Sequence, residues 1–269
     1  MTPEHAAHAE IVTRWAMALA MVVVGVAALA MPRCFAGVAG YFTRWAGQVP
    51  VGERERLDRV IAAREEVEGL SSAYGRGLGV VAILLAALEV FRSIPYVLPY
   101  ALFCLAAAAI MLLAYLQFHR ATQRRVAPLV RRSPFTALPP FVIAAMACSF
   151  GLSLGLATYP PVRYDALIVA ASALLLAFIA WRVAVAPAIL VGTDPQWEYA
   201  VDERVRIGRA RSIANLTCAP TFALIVLTQP TLPQTYAVFG TVAVTLGSVA
   251  FVVSLAASLI PLRRQIRPA

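Results

Sequence analysis

Lysine is absent from this chain, and all 23 basic residues are arginine. That absence excludes chemistry that needs a lysine amine: retinal or pyridoxal Schiff bases, the Walker A phosphate lysine and Ser-Lys dyads. Histidine is scarce, with only His5, His8 and His119. No pair of intramembrane histidines is therefore present for a b-type haem. H-E-x-x-H, a G-x-S-x-G nucleophile with a usable histidine, and the aspartate clusters of phospholipid-forming transferases are missing too. Glu65-Glu66 has the outline of an intramembrane protease motif without the Arg and His that accompany it. Cys34, Cys104, Cys148 and Cys218 are scattered, three of them in apolar segments. That spacing is neither a disulfide framework nor a zinc site, and it reads as buried thiols packing as small hydrophobes. The expectation is a non-enzymatic protein without cofactor or metal.

Charge is also in short supply, at 14% of the 269 residues against 61% hydrophobic. An average soluble domain carries about 25% charged residues, and the mean hydropathy here is +0.75. Several stretches approach or exceed the roughly 18 apolar residues of a membrane-crossing helix. The predicted fold is all-α, a polytopic integral membrane protein forming one membrane domain over 1–269. Its seven predicted spans are about 15–31, 78–94, 96–117, 136–158, 164–186, 212–228 and 236–260. Prolines punctuate the ends: Pro32 after the first, Pro95 in a hairpin, Pro160 and Pro161 after the fourth, and Pro230 after the sixth, as expected where helices must stop.

A net charge of +9 suggests nucleic acid in a soluble protein; in this setting it reads instead as the arginine excess of cytoplasmic loops, with no nucleic-acid partner. Of the 23 arginines, only Arg14, Arg92 and Arg163 fall on one side of the predicted spans. The chain is therefore expected in a bacterial inner membrane with its N-terminus out and its C-terminus in. No signal-peptide n-region and cleavage site are visible, so the first span is expected to be retained. Within the spans ionisable residues are nearly absent. Glu89 with Arg92, Arg163 with Asp165, and Arg182 all stand near predicted span ends, which weighs against a proton-coupled transporter.

One charged phrase occurs twice: Val51-Gly52-Glu53-Arg54-Glu55-Arg56-Leu57-Asp58-Arg59 and Val201-Asp202-Glu203-Arg204-Val205-Arg206-Ile207-Gly208-Arg209. Each copy precedes an apolar span, a proline-containing hairpin, another span and a basic stretch, the outline of a direct repeat over about 51–125 and 201–264. The extra stretch before the span of the first copy, and the two spans before the second, fit convergence of juxtamembrane helices equally well. Around the first copy, 51–72 is predicted as an amphipathic cytoplasmic helix, with Leu57, Val60, Ile61, Arg64, Val67 and Leu70 near one face. It is expected at headgroup level, against another subunit, or solvated.

Two sites are candidates. Arg54, Arg56 and Arg59, with Arg204, Arg206 and Arg209, are spaced to grip anionic lipid headgroups or an acidic partner, or to act as anchors paired to neighbouring carboxylates. Asn215, Thr217, Pro220 and Thr221 mark an irregular stretch of the sixth span, because Pro220 frees the Leu216 carbonyl; the group reads as an intramembrane pocket or a satisfied kink. Small residues recur at Gly240, Ala243, Gly247, Ala250, Ser254 and Ala257, and again at Ala144, Cys148, Gly151, Gly155 and Thr158. Such stripes let helices approach closely, here expected within the chain, with a homo-oligomer as the alternative. The function expected is a scaffold or regulatory subunit working through an Arg-rich cytoplasmic face. The alternative is a small-molecule transporter or lipid-handling protein. Its expected partners are the bilayer, anionic headgroups or a membrane protein.

Overall fold

The computed structural model describes residues 3–30, 51–67, 71–90, 133–186, 194–228 and 237–259, with scattered helical positions between 101 and 116. The rest of the predicted third span, the hairpin around Pro95, the basic stretch 117–132 and the arginines of 260–269 lie outside the described residues. So do the sequences that would decide the repeat. Among the described residues the fold is all-α, with no strand.

The elements in chain order are α1 (Pro3–Ala30), α2 (Val51–Val67), α3 (Ser71–Val90), a four-residue α4 (Pro134–Ala137), α5 (Pro140–Leu156), a 3-10 turn (Pro160–Val162), α6 (Arg163–Ala184), α7 (Pro195–Thr228) and α8 (Ala237–Leu259). Local chemistry sets several boundaries. Pro134 and Pro140 occupy first helical positions, where a missing N–H costs nothing. The Thr158 hydroxyl donates to the Gly155 carbonyl at 2.7 Å, closing α5 before the prolines. Asp165 stands in the first turn of α6 and Arg182 in its last, each charge opposing the nearby pole of the helix dipole. Pro195 opens α7, and the Glu198 carboxylate accepts the Asp194 N–H at 3.3 Å while the Glu198 N–H donates to the Asp194 carbonyl at 2.8 Å.

Helix α7 organises the molecule. It has 34 residues, about 50 Å at 1.5 Å per residue. All its charges lie between Glu198 and Arg211, and none follows. The charged half packs on α2 through Leu57 and Val60 against Trp197, Ala200, Val201 and Val205. The uncharged half packs on α5, α6 and α8, with Leu176, Ile179, Ile213 and Ala214 at the centre. Of the amphipathic face predicted for α2, Leu57, Val60 and Ile61 pack on α7 of the same chain; the side chains of Arg64 and Val67, and Leu70, lie outside the described residues.

Helices α1 and α3 pair around Ala18, Met21, Leu85 and Ala86, and Phe103 packs against both this cluster and the main core. Gly25 and Gly79 make that approach: a Cβ on Gly79 would stand 2.8 Å from the Gly25 carbonyl oxygen and 2.7 Å from the Leu29 side chain. In α8 the predicted small stripe is inward, with Gly240, Ala243, Gly247 and Ala250 buried. In α5 Ala144, Gly151 and Thr158 face outward, and the buried face is Val142, Ala145, Met146, Ser149 and Ser153.

The count of seven spans is not carried by helix length and composition. Among the described residues one helical stretch, Pro160–Ala184, is long and apolar enough to cross a membrane. Met21–Ala30, Arg76–Leu88, Pro140–Leu156 and Val238–Val253 are apolar but shorter. The physical reasons are local. Prolines confine α5 to 17 residues, and the charges of α7 leave only its second half apolar.

Candidate functional site

The two copies of the arginine phrase meet opposite environments. On α2, Arg54, Arg56 and Arg59 are exposed, beside the exposed acids Glu55 and Asp58. Arg56 reaches beyond its own helix: its Nε donates to Asp194 at 2.9 Å and its Nη2 at 2.5 Å. This two-pronged bond ties α2 to the residue that precedes α7.

On α7, Arg206 and Arg209 are only 2% and 3% exposed, and Glu198 and Asp202 are as deeply buried. These four fall at steps of four, four and three, one face of the helix. Arg206 is held on three sides. It donates to both carboxylate oxygens of Glu203, one turn earlier, and to the carbonyl of Ala184. Ala184 is the last residue of α6, where carbonyls lack helical donors and the dipole is negative. Arg206 therefore closes the end of one helix from the flank of another. Glu198, Asp202 and Arg209 are likewise engaged.

Arg204 is half-buried, and desolvation lowers its guanidinium to about 10; desolvation also lowers Arg211 below its ordinary value. Because the folded pKa is lowered, the shift marks a cost of carrying these charges, present through neutral pH and relieved only as pH rises past about 10. Arg211 donates from Nε to the Ala137 carbonyl at 3.3 Å, at the end of α4.

The second candidate group divides. Thr217 and Thr221 share one buried face of α7. The Thr217 hydroxyl bonds the Ile213 carbonyl at 3.1 Å. The Thr221 hydroxyl meets Ser153 of α5 at 2.9 Å and the Ser149 carbonyl at 3.3 Å, and Ser153 bonds that same carbonyl. Asn215 is elsewhere around the helix, and its buried Oδ1 has no hydrogen-bond partner among the described residues. Helix α7 continues through Pro220 without a break.

No protein-family model, curated protein or solved structure matches the chain. The site therefore rests on geometry. Among the described residues no group of three or more His, Cys, Asp or Glu is placed to hold a metal.

Sequence reasoning passes over Asp194 and Glu198, and takes Asp202 only as a local pairing partner of the arginines. The Asp194-Pro195 pair was a readable helix-start signal. Burial of the acids had no signal, because a salt bridge inside a fold and one on its surface use the same residues at the same spacing.

The hydroxyl seam between α5 and α7 gives a measurable expectation. Thr221→Val keeps the shape and removes the bond to Ser153, and should cost about 1 kcal/mol in thermal unfolding. A double-mutant cycle with Ser153→Ala should show coupling; strict additivity would mean that the two hydroxyls do not interact.

Proposed function

We propose that the chain is a multi-pass inner-membrane protein that works without catalysis, as a scaffold or regulatory subunit presenting the outer face of α2 to a partner. The observation that carries the membrane part is the distribution of exposed apolar side chains. Leu19 and Val23 on α1, Leu84 on α3, Phe178 on α6, and Val242 and Val252 on α8 are each 48–64% exposed. Large apolar side chains exposed along four helices point to contact with lipid or protein rather than water. Helix α6 also carries the interfacial pattern. Arg163-Tyr164 at one end and Trp181-Arg182 at the other are all exposed, about 27 Å apart at 1.5 Å per residue, close to the thickness of a bilayer core. About 17 residues is the lower limit for crossing, and Pro140–Leu156 meets it; that helix is assigned as a span beside α6, N-terminus out.

The scaffold part rests on the asymmetry of the two phrases. The buried copy is occupied in holding α7 to α6, which leaves the outward row of α2 as the polar surface held rigid by its buried underside. Affinity purification of the full chain in mild detergent tests this. Arg54→Glu/Arg59→Glu should release a bound partner without altering the elution volume of the protein itself. A partner set unchanged by that reversal would overturn the scaffold reading.

The buried Asn215 Oδ1 favours a second reading, a small-molecule or lipid carrier with a polar point on α7 near Pro220. It predicts a ligand-dependent thermal shift that Asn215→Leu abolishes; a shift retained by that variant excludes it.

A further inference from the structure

A chain of contacts gathers four side chains at one corner of the bundle, where the prediction placed no site. The rings of Phe135 on α4 and Trp181 on α6 meet edge to face, with centroids 6.4 Å apart and planes at 85°. Both stay outward, 57% and 42% exposed. Arg182 follows Trp181 in the chain and is exposed. Two residues after Phe135, the Ala137 carbonyl accepts the Arg211 bond at 3.3 Å. Above Arg182 on the same face of α6, at steps of four and three, Phe178 and Leu175 are 60% and 47% exposed.

The electrostatics of the corner are one-sided. No acidic residue occurs in 133–158, 166–186 or 204–228; Asp165 stands at the opposite end of α6, and the acids of α7 all precede Arg204. The nearest acid before Arg211 on α7 is Glu203, and it is engaged by Arg206. Arg182 and Arg211 thus bring positive charge to a stretch of these helices in which arginine is the only charged residue.

We propose that this corner, where α4 meets the ends of α6 and α7, binds an anionic phospholipid. Its headgroup phosphate lies between Arg182 and Arg211, Phe135 and Trp181 lie at the glycerol level, and an acyl chain runs along Phe178 and Leu175. The inference rests on the membrane reading above. Guanidinium groups suit phosphate geometry, and aromatic rings with one wet and one apolar side favour the interface. The inner leaflet is where anionic lipid and a cytoplasmic arginine excess meet.

The test uses the full chain in a mild zwitterionic detergent, titrated with phosphatidylglycerol, phosphatidylcholine or inorganic phosphate and read by thermal stability. Phosphatidylglycerol should stabilise at lower concentration than phosphatidylcholine, and inorganic phosphate should do little. Arg182→Gln should weaken the phosphatidylglycerol response about fivefold, and Phe135→Ala should weaken both lipids. Both side chains are exposed, so folding should survive. Arg54→Gln/Arg59→Gln on α2 should change nothing. Equal responses to the two lipids, an Arg182→Gln response equal to that of the parent, or loss on α2 instead would each overturn the site. A response to inorganic phosphate as strong as to phosphatidylglycerol would overturn the lipid as its occupant. Alkaline carbonate extraction separates this from the parent reading. A protein washed off membranes would overturn both, whereas one retained without lipid selectivity would overturn the site alone.

Discussion

Arg206→Ala should destabilise the protein by about 3–5 kcal/mol, because removing one member of a buried ion pair leaves the other charge uncompensated. The Arg206 side chain is 2% exposed and that of Glu203 is 17%. The substitution removes both Arg206 bonds to the Glu203 carboxylate and the donor at the Ala184 carbonyl, so the end of α6 should loosen together with the charged half of α7. Arg206→Lys should recover little, since an ammonium cannot make the planar, forked contacts of a guanidinium. Arg206→Met with Glu203→Gln should recover part of the loss by removing both charges. At the matching position of the first copy, Arg56→Ala should cost less than about 1 kcal/mol, as exposed pairs do; the Arg56 side chain is 49% exposed. Thermal unfolding in mild detergent reads both, and equal losses at the two positions would mean that the buried clamp is not a clamp.

Gly79→Leu should undo the pairing of α1 with α3, at a cost near the upper end of the roughly 1–3 kcal/mol of overpacking. Its Cβ would lie 2.8 Å from the Gly25 carbonyl oxygen, which is backbone and yields only if the helices part. Gly25→Leu meets the same obstacle, with the Gly79 carbonyl oxygen 3.0 Å from its Cβ. Gly77, one residue pair away on α3, is the control. A Cβ there meets nothing within 4 Å, and Gly77→Ala should be neutral or stabilising by up to about 1 kcal/mol through helix propensity. Melting temperature and protease cleavage within α1 measure the difference; a Gly79→Leu protein as stable and as protected as Gly77→Ala would remove the close approach from the account.

These two expectations show where reading the sequence succeeded and stopped. The apolar row of α2 was legible because helical spacing places Leu57, Val60 and Ile61 together, whatever covers them. The small stripe of α8 was legible because its larger residues, such as Val242, Leu246 and Val249, sit on the opposite, exposed side. In α5 small residues occupy several faces, Ala144, Ala145, Cys148, Ser149, Gly151 and Ser153 among them. Spacing alone does not choose between those faces: of the predicted stripe, Ala144, Gly151 and Thr158 are exposed, while Cys148 and Gly155 are half-buried and Gly155 lies against Phe239 of α8. Gly25 and Gly79 stand on different helices, and nothing local marks them as a pair.

The sequence by itself determined an all-helical chain, its proline-set boundaries, the exclusion of lysine chemistry and the helical character of both arginine phrases. These follow from the 3.6-residue period, backbone restriction and residue inventory, which act within one segment. Tertiary structure alone decided that Arg206 and Arg209 are buried while Arg54 and Arg59 are exposed. It also decided that α2 rests on α7 and that Phe135, Trp181, Arg182 and Arg211 share a corner. Two stretches of nearly the same sequence form the same helix; what each one's charges do depends on the neighbours that replace water around them. Those neighbours, the end of α6 above all, are distant in the chain.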